Sequence, residues 1–176
     1  MNKNDKGNQK KVLSSNEVKK IALSGVFAAL VFVATYISVP TAIGHVNLGD
    51  GVLLAGGFLL GPIGFFQAAI GSVLADLLLN YQIYIPATFV IKGSMGLLAG
   101  ILLKKKNVSI VRKIIVFVIC ELLMVSGYFI YEACIYTTAA AAGSVIPNLI
   151  QGGIGAVLAF ILCGILEKPR EQLLHV

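Results

Sequence analysis

Asp76 and Lys92 each place a single charge inside an otherwise apolar run. Asp76 lies four residues before Asn80, and Lys92 six residues after Pro86. If both runs are helices crossing a bilayer, a rise of 1.5 Å per residue sets the two charges about 6 and 9 Å below one membrane surface. Ionisable groups at that depth are costly, so they face the bundle interior, find a partner or line a substrate path. A structural salt bridge between them and contact with a ligand are both open.

More polar groups gather at the same end. His45, Asn47 and Asp50 fall in the stretch PTAIGHVNLGD, while Asn80, Tyr81, Gln82 and Tyr84 occupy the turn between the two charged runs. A later run holds Glu121, Tyr128 and Glu132. Between the two glutamates a helix turns through about 1100°, about 20° from a whole number of turns, and Tyr128 falls about 20° to the other side. The three therefore share one stripe. Asn148 and Gln151, three residues apart, share a face further on and could serve as interhelical hydrogen-bonding groups. Together these positions predict an outward-opening, water-accessible cavity for a small polar aromatic molecule. The expected binding residues are His45, Asn47, Asp50, Asp76, Tyr84, Lys92, Glu121, Tyr128, Glu132 and Gln151.

Catalytic chemistry finds no foothold. Walker GxxxxGK[ST], HExxH and GxSxG patterns are absent, so neither catalytic residues nor a cofactor is expected, and ATP hydrolysis must belong to other chains. Cys120, Cys134 and Cys163 sit in apolar runs without CxxC spacing, which reads as small buried side chains, with no disulfide framework and no metal site.

Composition explains why the charges stand out. With 57% hydrophobic and 12% charged residues and a mean hydropathy of +0.90, the chain is an integral membrane protein; soluble domains carry about 25% charged residues. The net charge of +6 comes from short basic clusters beside apolar runs. Those clusters lack interleaved aromatics for stacking bases, so they suit anionic lipid headgroups and exclude nucleic acid. The first apolar run is long and has no small-residue cleavage pattern after it, which reads as a span and not a signal peptide.

The elements that must position these groups are six spans, near residues 18–39, 52–60, 63–79, 86–103, 114–135 and 145–166. The 40–50 stretch reads as a loop dipping toward the bundle, and 136–144 as a connection. The predicted fold is thus an all-α integral membrane protein, a six-transmembrane-helix bundle over residues 17–167 with polar tails at 1–16 and 168–176. All of the 14 basic residues except Lys92 then fall on one side, which by the positive-inside rule is the cytoplasm, so both termini are expected there in a multi-pass cell-membrane protein. In the first span Ser24 with Ala28 and Gly25 with Ala29 make small-xxx-small pairs, a face that another helix can approach closely.

Four stretches carry a family resemblance: KKIALSGVFAAL, HVNLGD, LLGPIGFFQAAIGSVLADLL and IPATFVIKGSMGLLAGIL. In their order the chain resembles the substrate-binding S components of energy-coupling factor (ECF) vitamin transporters, in the riboflavin-transporter-like branch that includes those for hydroxymethylpyrimidine and pyridoxine. The resemblance implies a six-helix bundle that takes a vitamin or precursor from outside under a lid formed by the loop between the first two spans. It also implies docking on a transmembrane scaffold subunit and two ABC-type ATPases, and toppling of the bundle to deliver the cargo. In that family an Ala-xxx-Ala pattern in the first span meets the scaffold, which points here to Ser24, Gly25, Ala28 and Ala29. A different class of function, a stand-alone proton-coupled carrier with Glu121 or Asp76 as proton site, needs no partner; the lack of an evident internal repeat weighs against it.

Overall fold

The structure is a computed structural model that describes residues 14–41, 45–105 and 107–174. Most of the tail expected at 1–16 lies outside the described residues. Among the described residues six α-helices follow one another: α1 Ser15–Tyr36, α2 Gly49–Leu60, α3 Gly64–Leu78, α4 Ile85–Leu102, α5 Ile110–Ile135 and α6 Thr138–Leu174. Between α1 and α2 the chain forms a short antiparallel ribbon, β1 Ser38–Pro40 and β2 His45–Asn47, with Val39 opposite Val46. The segment expected to be a plain loop is therefore partly paired, and its end, Gly49 and Asp50, already belongs to α2.

Five stretches among the described residues are long and apolar enough to cross a membrane: Ser15–Tyr36, Gly49–Leu78, Gln82–Leu102, Ile110–Ile135 and Thr138–Leu173. The second of them is folded back on itself. Gly61 adopts φ +72°, a left-handed conformation that only glycine takes without strain, and the chain reverses there. Beyond the reversal Gly64 packs on Gly57, and Gln67 Nε2 donates to the Leu53 carbonyl at 2.8 Å. The 12 residues of α2 span about 18 Å, short of the roughly 30 Å hydrocarbon thickness.

The N-termini of α1, α5 and α6 lie earlier than hydropathy predicts, and local capping explains each of them, whereas α1 ends at Tyr36, before the expected 39. At α1, Ser14 Oγ accepts from the Glu17 amide at 3.3 Å while Glu17 Oε2 accepts from the Ser14 amide at 2.7 Å, a reciprocal cap. Ser109 Oγ caps α5 through the Arg112 amide at 3.3 Å, and Thr137 Oγ1 caps α6 through the Ala140 amide at 3.1 Å. The connection expected at 136–144 is accordingly helical from Thr138, as its alanine run favours. At the other end α6 passes through Pro169 to Leu174, so the expected polar tail continues the helix.

Side chains are nearly absent where α2, α3 and α4 cross. A Cβ on Gly57 would lie 2.6 Å from the Gly96 carbonyl, and one on Gly64 would lie 2.7 Å from Gly57 Cα, so these backbones touch directly. Around this crossing the core is filled by Leu53, Leu54, Met95, Phe117 and Met124, all almost fully buried. Large apolar side chains such as Val26, Leu30, Ile115, Leu122 and Ile161 stay exposed on the outside, as lipid contact allows.

One end of the bundle is tied by Arg170, which is only 3% exposed. Its Nε donates to the Phe58 carbonyl at 2.9 Å, and its Nη2 donates to the carbonyls of Leu103 and, at 2.8 Å, Lys105. The guanidinium lies 4.2 Å over the Phe58 ring. Carbonyls left over at the ends of α2 and α4 thus receive a cation that complements the helix dipoles. Lys113 pairs with Glu167 beside it, and the described basic residues other than Lys92 collect at this end.

Candidate functional site

At the opposite end, the C-termini of α3 and α5, the N-termini of α4 and α6 and the β1–β2 ribbon surround a cleft. Its empty space is about 480 Å³ including the mouth. Thr35, His45, Asn47, Ser72, Asp76, Tyr81, Tyr84, Thr88, Lys92, Tyr128, Glu132, Asn148 and Gln151 line it. Eight of the ten expected binding residues are in that lining; Asp50 and Glu121 are not.

Behind the wall runs a connected polar network. Lys92 Nζ donates to Asp50 Oδ1 at 2.5 Å, and Gln151 Nε2 donates to Asp50 Oδ2 at 2.6 Å. Gln151 Oε1 in turn accepts from the Asn47 amide at 3.0 Å and from Asn47 Nδ2 at 3.3 Å. Asn47 Oδ1 accepts from the Gly49 amide at 2.8 Å, closing the turn into α2. The pairing of Asp76 with Lys92, open from sequence, is therefore corrected: Lys92 belongs to Asp50. Depth alone could not choose between two carboxylates near the same level. Asp50 is fully buried, and it holds Lys92 from outside the cleft.

Asp76 faces His45 instead, with 3.6 Å between its Oδ1 and Nε2. Asn47 Nδ2 is a donor and lies 3.1 Å from His45 Nδ1, so Nδ1 accepts and the proton of a neutral His45 sits on Nε2, toward Asp76. Aromatic rings stand around this pair: His45 to Tyr81 at 5.0 Å between centroids, Tyr81 to Tyr84 at 6.0 Å and Tyr84 to Tyr128 at 6.2 Å. Lys92 Nζ sits 5.5 Å from the Tyr128 centroid, a cation over an aromatic face. Tyr84 OH donates to Glu132 Oε1 at 3.2 Å, Ser144 Oγ donates to Glu132 Oε2, and Thr88 Oγ1 and Tyr128 OH share a bond of 3.0 Å.

Glu121 is the expected residue that the structure sets apart. Its azimuth on α5 matches Tyr128 and Glu132, but it lies about 16 Å along the helix from Glu132, below the cleft. There it lines a crevice between α5 and α6 with Val125, Leu149 and Gly152, and neither carboxyl oxygen has a partner among the described residues. Sequence reasoning passed over Thr35, Ser72 and Thr88, whose small hydroxyls are too common in membrane helices to draw notice. Among the described residues no group of three or more His, Cys, Asp or Glu could hold a metal.

Outside the bundle, α1 and α3 border a separate apolar groove with about 1050 Å³ of empty space including its open side. Ser24, Gly25, Ala28 and Ala29 all line it, facing Phe66, Ile70 and Leu74. Ser24 turns inward and is buried, whereas Gly25 and Ala29 are exposed and a Cβ on Gly25 would meet nothing within 4 Å.

Residues 15–168, nearly all the described helices, match the family of the S component of the ECF-type riboflavin transporter. The chain belongs to that family. Among relatives of this S component, the thiamine precursor transporter HmpT of Lactococcus lactis subsp. cremoris (strain MG1363) is 29% identical over 167 residues, covering 90% of this chain and 93% of HmpT. An uncharacterized protein in the gap 3' region of Pyrococcus woesei is likewise 29% identical, over 140 residues that cover 79% of this chain and 93% of that protein. The S component is thus a membrane transport protein, and its kinship is with transporters rather than enzymes.

Proposed function

We propose that this S component captures a small water-soluble vitamin precursor from outside the cell, hydroxymethylpyrimidine before pyridoxine. The observation that carries the reading is the cleft with aromatic walls and convergent polar groups at the end of the bundle away from the basic residues. Its aromatic walls suit a planar ring, and the resemblance to a thiamine precursor transporter points the same way. His45, Asn47, Asp76, Tyr84, Lys92, Tyr128, Glu132 and Gln151 make the binding surface in this reading, with Asp50 holding Lys92 in place.

The bundle crosses the membrane with α2 and α3 as separate legs of a re-entering hairpin, both termini in the cytoplasm and the cleft outside. Support comes from the clustering of basic residues at the Arg170 end. A transmembrane scaffold subunit docks in the α1–α3 groove on Gly25 and Ala29, and two ABC-type ATPases supply the energy; family membership supports the partnership, and the open space over Gly25 supports the place.

Equilibrium binding of labelled hydroxymethylpyrimidine and pyridoxine to the detergent-purified protein tests the cargo. Saturable binding of the first, tighter than the second, is expected; absence of affinity for both ends the reading. In liposomes holding this chain alone, a pH gradient should drive no uptake, and uptake there would instead favour a self-sufficient proton-coupled carrier.

A further inference from the structure

Nearly every polar group facing the cleft already has a partner. Lys92 and Gln151 are satisfied through Asp50, Asn47 through Gln151, Tyr84 and Glu132 through each other, and Thr88 through Tyr128. Two buried atoms in the lining have none among the described residues: Asp76 Oδ2 and Ser72 Oγ. Asp76 is 4% exposed and Ser72 is 1% exposed, so bulk water does not reach them freely. The two residues are four apart on α3, one turn along the same face, and therefore act as a unit. A buried carboxylate oxygen without a hydrogen bond is costly, and a bound N–H donor would relieve that cost.

We infer that Asp76 and Ser72 form the edge that reads a ring amino group on the ligand, Asp76 Oδ2 accepting one amino N–H while the Ser72 hydroxyl bonds beside it. The inference rests on the binding function proposed above and adds which feature of the ligand is recognised, and by which atoms. The charge pattern agrees with this assignment. Asp50 pairs with Lys92, and the cleft presents the free Asp76 Oδ2 acceptor next to aromatic faces on which a planar ring can lie. A site that hydrogen-bonds a substrate group discriminates against analogues lacking that group, because its own buried atom is then left unpaired.

The test uses hydroxymethylpyrimidine and the analogue in which hydrogen replaces its ring amino group, titrated calorimetrically into detergent-purified wild type, Asp76→Asn and Ser72→Ala. Wild type should prefer the amino compound by roughly 10- to 150-fold in Kd, the range of one hydrogen bond to a charged group. Asp76→Asn should bring that preference within about threefold by weakening the amino compound more than the analogue, and a thermal unfolding midpoint in detergent near that of wild type shows the variant to be folded. Ser72→Ala should narrow the preference by a smaller factor. Full preference retained in Asp76→Asn overturns the inference, as does equal binding of both compounds by wild type. Should Asp76→Asn bind neither compound, an undiminished preference in Ser72→Ala overturns it. Wild type binding neither compound removes the proposed function itself, and this inference with it.

Discussion

Removing both partners of the Lys92–Asp50 pair should cost less than the sum of removing each alone. Asp50 is fully buried and Lys92 is 4% exposed, with 2.5 Å between the charged atoms. At an effective dielectric constant of 20 the attraction at that distance is about 7 kcal/mol before desolvation is subtracted. Desolvation consumes much of it, yet removal of one partner strands the other charge in an apolar bundle at a cost of about 3–5 kcal/mol. We expect Lys92→Met and Asp50→Asn each to lose stability in that range, and the double variant to lose less than the sum by at least about 2 kcal/mol. Reversible unfolding in mixed detergent and dodecyl sulfate micelles, followed by circular dichroism, measures the cycle. A companion cycle of Lys92→Met with Asp76→Asn should show a coupling below about 1 kcal/mol. Additivity of the Asp50 and Lys92 changes within about 0.5 kcal/mol, or a larger coupling to Asp76, would refute the pairing described here.

Three further outcomes are expected. Glu121→Gln should leave the Kd for ligand within about threefold in calorimetric titration, because its oxygens face the α5–α6 crevice below the cleft; a loss above tenfold would place it at the ligand after all. Arg170→Lys should destabilise the protein by about 2–4 kcal/mol in the same unfolding assay, since a lysine lacks the planar fork that reaches the Phe58, Leu103 and Lys105 carbonyls, whereas Glu167→Gln should cost under about 1 kcal/mol because Glu167 is half exposed. Gly96→Ala sets a methyl 2.8 Å from Ala68 Cβ and against the Gly64 carbonyl, which should cost about 1–3 kcal/mol and lower the melting temperature in detergent.

The membrane class, the apolar runs and eight cleft residues were legible in the sequence because intramembrane charge and amide groups are rare enough to be informative. Helix ends were less legible: Ser14 and Glu17 form a recognisable cap, but they sit in a basic segment that reads as tail, and hydropathy does not register caps. The partner of Lys92 depended on the reversal at Gly61, which sets α2 back against α3 and α4; a sequence separation of 42 residues gives no hint of it. For Glu121 the helical periodicity gave the right side of α5, while the depth, set by how far the surrounding helices extend, escaped it.

The meeting of Gly57, Gly64 and Gly96 has a bearing on how such a protein can acquire new cargo. A junction made of bare main chain offers no rotamers to exchange, so it cannot adapt to a reshaped neighbour by small compensating moves. Variation is left to the upper walls, where Tyr81, Thr88 and Asn148 line the cleft. A fixed hub beneath an editable rim lets recognition drift from one small molecule to another while the frame that must meet its membrane partner keeps its shape.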